Sequence, residues 1–177
     1  MSRALSSNDA KVRDGGRGET LADYWPLISL VGGSALAAWA IADGFASVDM
    51  RTFMHAYMGV FLLVFALLKI FNLNGFQDGF VMYDLLAKRV RTYGYVYPFI
   101  ELALAIMYLN FIAPELTYWA TVGVFSFGAI GVVIALRQGL DINCPCMGSV
   151  LSVPLSTVTL TEDIGMLVMA LLLLFVE

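Results

Sequence analysis

Five stretches of this 177-residue chain are each long and apolar enough to cross a hydrocarbon core, which needs about 20 residues of helix. They fall at approximately residues 26–45, 52–73, 93–113, 116–136 and 155–176. With 60% hydrophobic and 14% charged residues and a mean hydropathy of +0.81, the chain has more apolar surface than one soluble core hides. Lipid must solvate much of it. The expected architecture is an all-α polytopic membrane helical bundle with about five transmembrane helices and no internal repeat.

Residues 1–24 are rich in Ser, Gly and alternating charge and lack a hydrophobic period, so they read as a polar, disordered tail ahead of a single transmembrane domain at 25–177. A secretory signal would place its apolar run nearer the start and follow it with a small-residue cleavage site. The run beginning near Pro26 and ending at Asp43-Gly44 reads instead as a retained first helix. The fifth span has a shorter alternative that starts near Thr161 as a cap, with Glu162 and Asp163 in its first turn.

Nine of the ten basic residues fall on one side of these spans: Arg3, Lys11, Arg13, Arg17, Lys69, Lys88, Arg89, Arg91 and Arg137, against Arg51 alone. The positive-inside rule then puts the N-terminus in the cytoplasm and the C-terminus outside. The expected location is a bacterial inner membrane, with the loop between the fourth and fifth spans cytoplasmic. The acidic residues are scattered and no basic patch suited to nucleic acid exists, so the lipid bilayer is the first partner and nucleic acid is not one.

Between the second and third spans, Phe76, Phe80, Tyr83, Leu86 and Val90 recur at helical spacing, while Gln77, Asp84, Lys88 and Arg91 take another face. This predicts an interfacial amphipathic helix lying on the headgroups. Tyr24, Trp25, Tyr118 and Trp119, near span ends, read as an aromatic belt. Pro98 kinks or starts a helix.

The chain has two cysteines, Cys144 and Cys146, separated by Pro145 in a polar loop. In a cytosolic setting such a pair points to redox or metal chemistry more than to a staple. A disulfide within Cys-X-Cys closes a very small ring, whose strain eases reduction and suits exchange. The same thiolates, with Met147 beside them, would also suit a soft metal ion of the Cu or Hg type. Inert packing of both cysteines is the bland alternative. His55, with Met54 and Met58 at helical spacing, reads as packing or as an outer metal site.

Four ionisable residues lie at membrane depth near the face that carries the cysteine loop. Lys69 falls near the cytoplasmic end of its span, Glu101 about two turns inside the third, and Glu162 and Asp163 about two turns inside the fifth. Such residues are costly in a membrane and normally pair or line a pathway. A Lys69–Glu101 pair satisfies both groups. It either locks the bundle or sets the thiol pKa and relays a proton, since the thiolate is the reactive form.

The strings Cys144-Pro-Cys146-Met-Gly148-Ser149-Val150 and Val153-Pro154-Leu-Ser156, with Glu162-Asp163 in the last helix, resemble the MauE/DoxX group of redox-associated membrane proteins. Leu67-Leu68-Lys69, Gly75-Phe76, Tyr83-Asp84 and Tyr97-Pro98-Phe99-Ile100-Glu101-Leu102-Ala103 fit the same pattern. The resemblance covers roughly residues 54–174. It implies a four-helix family core, here with one added N-terminal helix, and a thiol-redox role linked to methylamine utilisation. For some members it implies heavy-metal handling, and members closest to this pattern can carry a metal-binding domain ahead of the bundle, which this cysteine-free tail is expected to lack. The expected catalytic set is Cys144, Cys146, Glu101 and Lys69. Expected partners are a thiol-redox protein or other subunits of a membrane complex. No cofactor is required, and Cys144, Cys146 and Met147 would be the metal ligands in the alternative. A small accessory subunit, whose cysteines matter little, is the third reading.

Overall fold

The computed structural model describes residues 24–44, 49–138 and 155–175, without the side chains of residues 155–158. The described chain forms α1 (Trp25–Gly44), α2 (Met50–Phe71), α3 (Leu73–Tyr83), α4 (Arg91–Leu109), α5 (Pro114–Arg137) and α6 (Leu155–Phe175), with no strand among the described residues. Each expected span meets one helix within a few residues. By length and composition, α1, α2 and α5 are apolar enough to cross a membrane, so three of the five expected spans meet that measure. Helices α4 and α6 carry much of their polarity inward: Tyr97, Glu101 and Tyr108 on α4, and Thr159, Glu162 and Asp163 on α6, are buried. Helix α6 starts at Leu155, which sets aside the shorter alternative with Thr161 as its cap.

Helix α2 packs along α4, and α5 along α6; contacts of α4 with α5 and of α6 with α2 close a four-helix ring. Helix α1 packs on α2, burying Ser34, Ala38 and Ala42 at four-residue spacing while Leu36 and Trp39 stay exposed. Small side chains let backbones approach where no hydrophobic driving force separates helix from lipid. The same device brings α2 onto α4, because a Cβ at Gly59 would stand 2.6 Å from Leu109 Cγ.

The segment after α2 departs from expectation. Helix α3 ends at Tyr83, and the Asp84 carboxylate accepts the backbone N–H groups of Leu86 (2.9 Å) and Ala87 (2.7 Å). An aspartate that captures nearby amides offers the backbone an alternative to helix. Leu86 and Val90 therefore never join the apolar face and stay exposed. Nor does α3 merely rest on headgroups: it packs against α4 and α5 and buries Phe76, Gln77, Phe80 and Tyr83. Gly94 admits it, since a Cβ there would stand 3.0 Å from Gln77 Cγ. Burial also holds the Asp84 carboxyl above the usual carboxylate range, against the lowering effect of those two amides.

Pro98 lies inside α4 rather than at its start. The α4–α5 turn puts Phe111 (φ 53°) and Ala113 (φ 41°) in the left-handed region, with Pro114 opening α5. Trp25 and Trp119 are exposed as a belt requires, but Tyr118 is fully buried and belongs to the core.

Candidate functional site

Lys69 comes from the last turn of α2, where a long side chain ordinarily reaches out to water. Here it is 2% exposed and turned into the helix ring. Its Nζ forms ion pairs with Glu101 Oε1 of α4 and, at 3.1 Å, with Glu162 Oε1 of α6. The rings of Phe65, Phe76 and Tyr97 surround the ammonium with centroids at 5.8, 5.7 and 5.3 Å, so quadrupole faces add to the carboxylates. The expected Lys69–Glu101 contact is present, and Glu162 makes it a triad across three helices.

Glu162 and its neighbour Asp163 are both buried. Successive helical residues point about 100° apart. Glu162 thus faces Lys69, while Asp163 lies against α5, where a Cβ on Gly128 would stand 3.1 Å from its Oδ2. Glu101 Oε2, Glu162 Oε2 and Asp163 Oδ2 have no hydrogen-bond partner among the described residues. A cluster of this kind can hold counter-charge, fix the helix register, or take up and release protons. Its depth follows from α6: Glu162 is seven residues past Leu155, about 10 Å along the axis. The end of α5 at Arg137 and the start of α6 at Leu155 lie toward the same end of the ring, and residues 139–154 connect them. Cys144, Cys146 and Met147 belong to that connection and lie outside the described residues.

His55 occupies the other end of the ring. Its Nδ1 lies 3.1 Å from the Tyr108 carbonyl oxygen and its Nε2 bonds the Tyr118 hydroxyl. A carbonyl only accepts, so Nδ1 carries the proton and Nε2 accepts from Tyr118. Tyr108 in turn donates to Thr121 Oγ1 (3.0 Å), and Thr121 donates to the Thr117 carbonyl (2.8 Å). Phe111 stacks on the imidazole with centroids 4.2 Å apart, which anchors the left-handed turn. With both ring nitrogens engaged, His55 is a pin between α2, α4 and α5 and offers no lone pair to the outer metal site weighed from the sequence. No group of three His, Cys, Asp or Glu able to hold a metal occurs among the described residues.

The hydrogen-bonded partners of His55 and the seat at Gly128 were not anticipated from the sequence. The available signal was a lone histidine in an apolar span, which needs a partner for each nitrogen. No curated relative and no solved structure matches the chain. The family model described as methylamine utilisation protein MauE matches residues 45–176, which takes in α2 to α6 and the connection bearing both cysteines. A match over more than half of the chain, together with three helices apolar enough to cross a bilayer, makes this an integral membrane protein that belongs to the MauE family.

Proposed function

We propose that the chain is a membrane thiol-redox protein in which Cys144 and Cys146 exchange disulfides with a partner, acting within a system for methylamine utilisation. The observation that carries this reading is the buried Lys69–Glu101–Glu162 triad, set toward the end of the ring at which the cysteine-bearing connection is tethered. Buried charge of this sort is expensive, and in membranes it accompanies pathways for ions and protons. Thiol exchange needs such chemistry, since only the thiolate attacks. One cysteine attacks a disulfide of the partner and forms a mixed disulfide, releasing a partner thiolate. The second cysteine displaces the other partner sulfur, which leaves an oxidised Cys144–Cys146 pair and a reduced partner; the reverse sequence delivers oxidising equivalents. Lys69 acts as the charge that favours the thiolate, and Glu101 as the carboxylate that takes its proton.

The topology that goes with this reading has five spans, α1, α2, α4, α5 and α6, with α3 tucked against the ring at the cytoplasmic boundary of a bacterial inner membrane. The nine-to-one division of basic residues supports a cytoplasmic N-terminus and cysteine connection. The test is Cys146→Ser and, separately, Cys144→Ser, in native membranes. One of them traps a mixed disulfide with the partner, visible on non-reducing gels. Loss of a bound soft metal in both variants with no adduct would transfer the cysteines to metal ligation, with Met147 as a further ligand. No adduct and no metal change would leave an accessory subunit. An impermeant thiol reagent applied to intact cells leaves both cysteines unlabelled if the orientation holds.

A further inference from the structure

Among the described residues, charge does not balance in the cluster. Three carboxylates, Glu101, Glu162 and Asp163, share one buried ammonium, that of Lys69. The other cations of the described chain are placed elsewhere: Lys88, Arg89, Arg91 and Arg137 are exposed, and Arg51 opens α2 at the opposite end of the ring. Residues 139–158 contain no lysine or arginine that could add a second ammonium from the cysteine-bearing connection. Fully ionised, the trio would bury an excess of two negative charges, which a low-dielectric interior does not tolerate without a counter-ion.

A metal cation fits poorly. The place where Glu101 and Glu162 converge is filled by Lys69 Nζ, and the three unpartnered oxygens do not form a group able to hold a metal. Protons need no such convergence. Asp163 is the residue with most to gain from one: it forms no ion pair with Lys69, it is 2% exposed, and its Oδ2 is pressed toward Gly128 without a hydrogen bond. Among the described residues, the groups that act on the trio are Lys69 from α2, Tyr93 and Tyr97 from α4, and Asp84 from the end of α3. At the contact with Asp163, α5 presents Gly128, which brings no titratable group.

We propose that Lys69, Glu101, Glu162 and Asp163 form a proton-holding site inside the helix ring, with Asp163 as the carboxyl that carries an exchangeable proton and Lys69 as the fixed counter-charge. This goes beyond thiol exchange and stands without it, since none of its groups is a cysteine.

The test is infrared difference spectroscopy on the full-length protein in lipid nanodiscs at neutral pH, in H2O and in D2O. The C=O stretch of a protonated carboxyl is resolved from carboxylate bands and shifts on deuteration. The expected result is such a band in the wild type that Asp163→Asn removes and that the double variant Cys144→Ser/Cys146→Ser retains. Gly128→Ala guards against a folding defect in the first variant, because the added Cβ pushes on Oδ2 and moves the frequency of the same band without removing the acid. Absence of a protonated-carboxyl band in the wild type, or a band indifferent to both Asp163→Asn and Gly128→Ala, overturns the proposal. Carboxylate bands that move on adding sodium or potassium at constant pH overturn it in favour of a metal cation. Retention of the band in the cysteine variant beside failure to trap a partner would separate this site from the thiol reading.

Discussion

Lys69 Nζ and Glu162 Oε1 meet at 3.1 Å although 93 positions separate them in the chain, so the last helix is bound to the second by a buried charge. Removing one member of such a set strands the others. Lys69→Met is expected to cost about 3–5 kcal/mol, because it leaves uncompensated buried carboxylates. Combining it with Glu101→Gln and Glu162→Gln is expected to restore a large part of that loss. Denaturant unfolding in detergent, run as a mutant cycle, measures the recovery. Strictly additive losses would mean that the three groups do not act together.

A second prediction concerns the pin at the opposite end. His55→Phe keeps the ring that stacks on Phe111 but leaves the Tyr118 hydroxyl and the Tyr108 carbonyl without their partner. The expected cost is about 1–3 kcal/mol for a buried polar group left unsatisfied. Adding Tyr118→Phe to His55→Phe is expected to cost less than the sum of the single changes. Nitrogen NMR of labelled His55 is expected to report the neutral tautomer with its proton on Nδ1; a proton on Nε2 would contradict the hydrogen-bond directions fixed by the backbone carbonyls.

Hydropathy located the helices expected as spans among the described residues, because a long apolar run has few alternatives in lipid, although only α1, α2 and α5 are apolar enough to cross a membrane by that measure. The Lys69–Glu101 contact was legible for a related reason: two opposite charges at similar depth have few other ways to be satisfied. Depth along an axis says nothing about rotation around it, however. The sequence brought Glu162 and Asp163 to the right level, but that Glu162 turns to Lys69 while Asp163 turns to Gly128 is decided by packing of α6 between α2 and α5. The segment after α2 misled for a different reason. Its apolar spacing continues past Tyr83, and only the local capture of two amides by Asp84 ends the helix there.

The approach of α2 to α4 makes a third prediction. A Cβ at Gly59 would meet Leu109 Cγ at 2.6 Å and the Ala105 carbonyl oxygen at 3.2 Å, whereas one at Gly32 of α1 meets nothing within 4 Å. Gly59→Ala is therefore expected to destabilise by about 1–3 kcal/mol through overpacking. Gly32→Ala, free of contacts, is expected to be neutral or to stabilise by up to about 1 kcal/mol through helix propensity. Thermal unfolding of the two variants side by side reads the contrast. Adding Leu109→Ala to Gly59→Ala is expected to return part of the loss, and equal effects at Gly59 and Gly32 would deny the close approach.

Asp84 supplies a pH dependence that lies outside the spans. Burial is the largest influence on its carboxyl and holds it above the usual carboxylate range, while the Ala87 and Leu86 amides and the Lys88 charge pull the other way. A carboxyl whose folded value exceeds its unfolded value binds protons more tightly when folded. Its contribution to stability is complete below the ordinary range and disappears as pH rises through the raised value. Asp84→Asn keeps an oxygen to accept both amides and removes the titration. Wild type is therefore expected to lose stability relative to Asp84→Asn as pH increases across the acid range, and the difference is expected to level off once the carboxyl is ionised in both states. Thermal unfolding of the pair at a series of pH values measures it; a difference that grows in the opposite direction would mean that the two amide hydrogen bonds, rather than burial, govern this carboxyl.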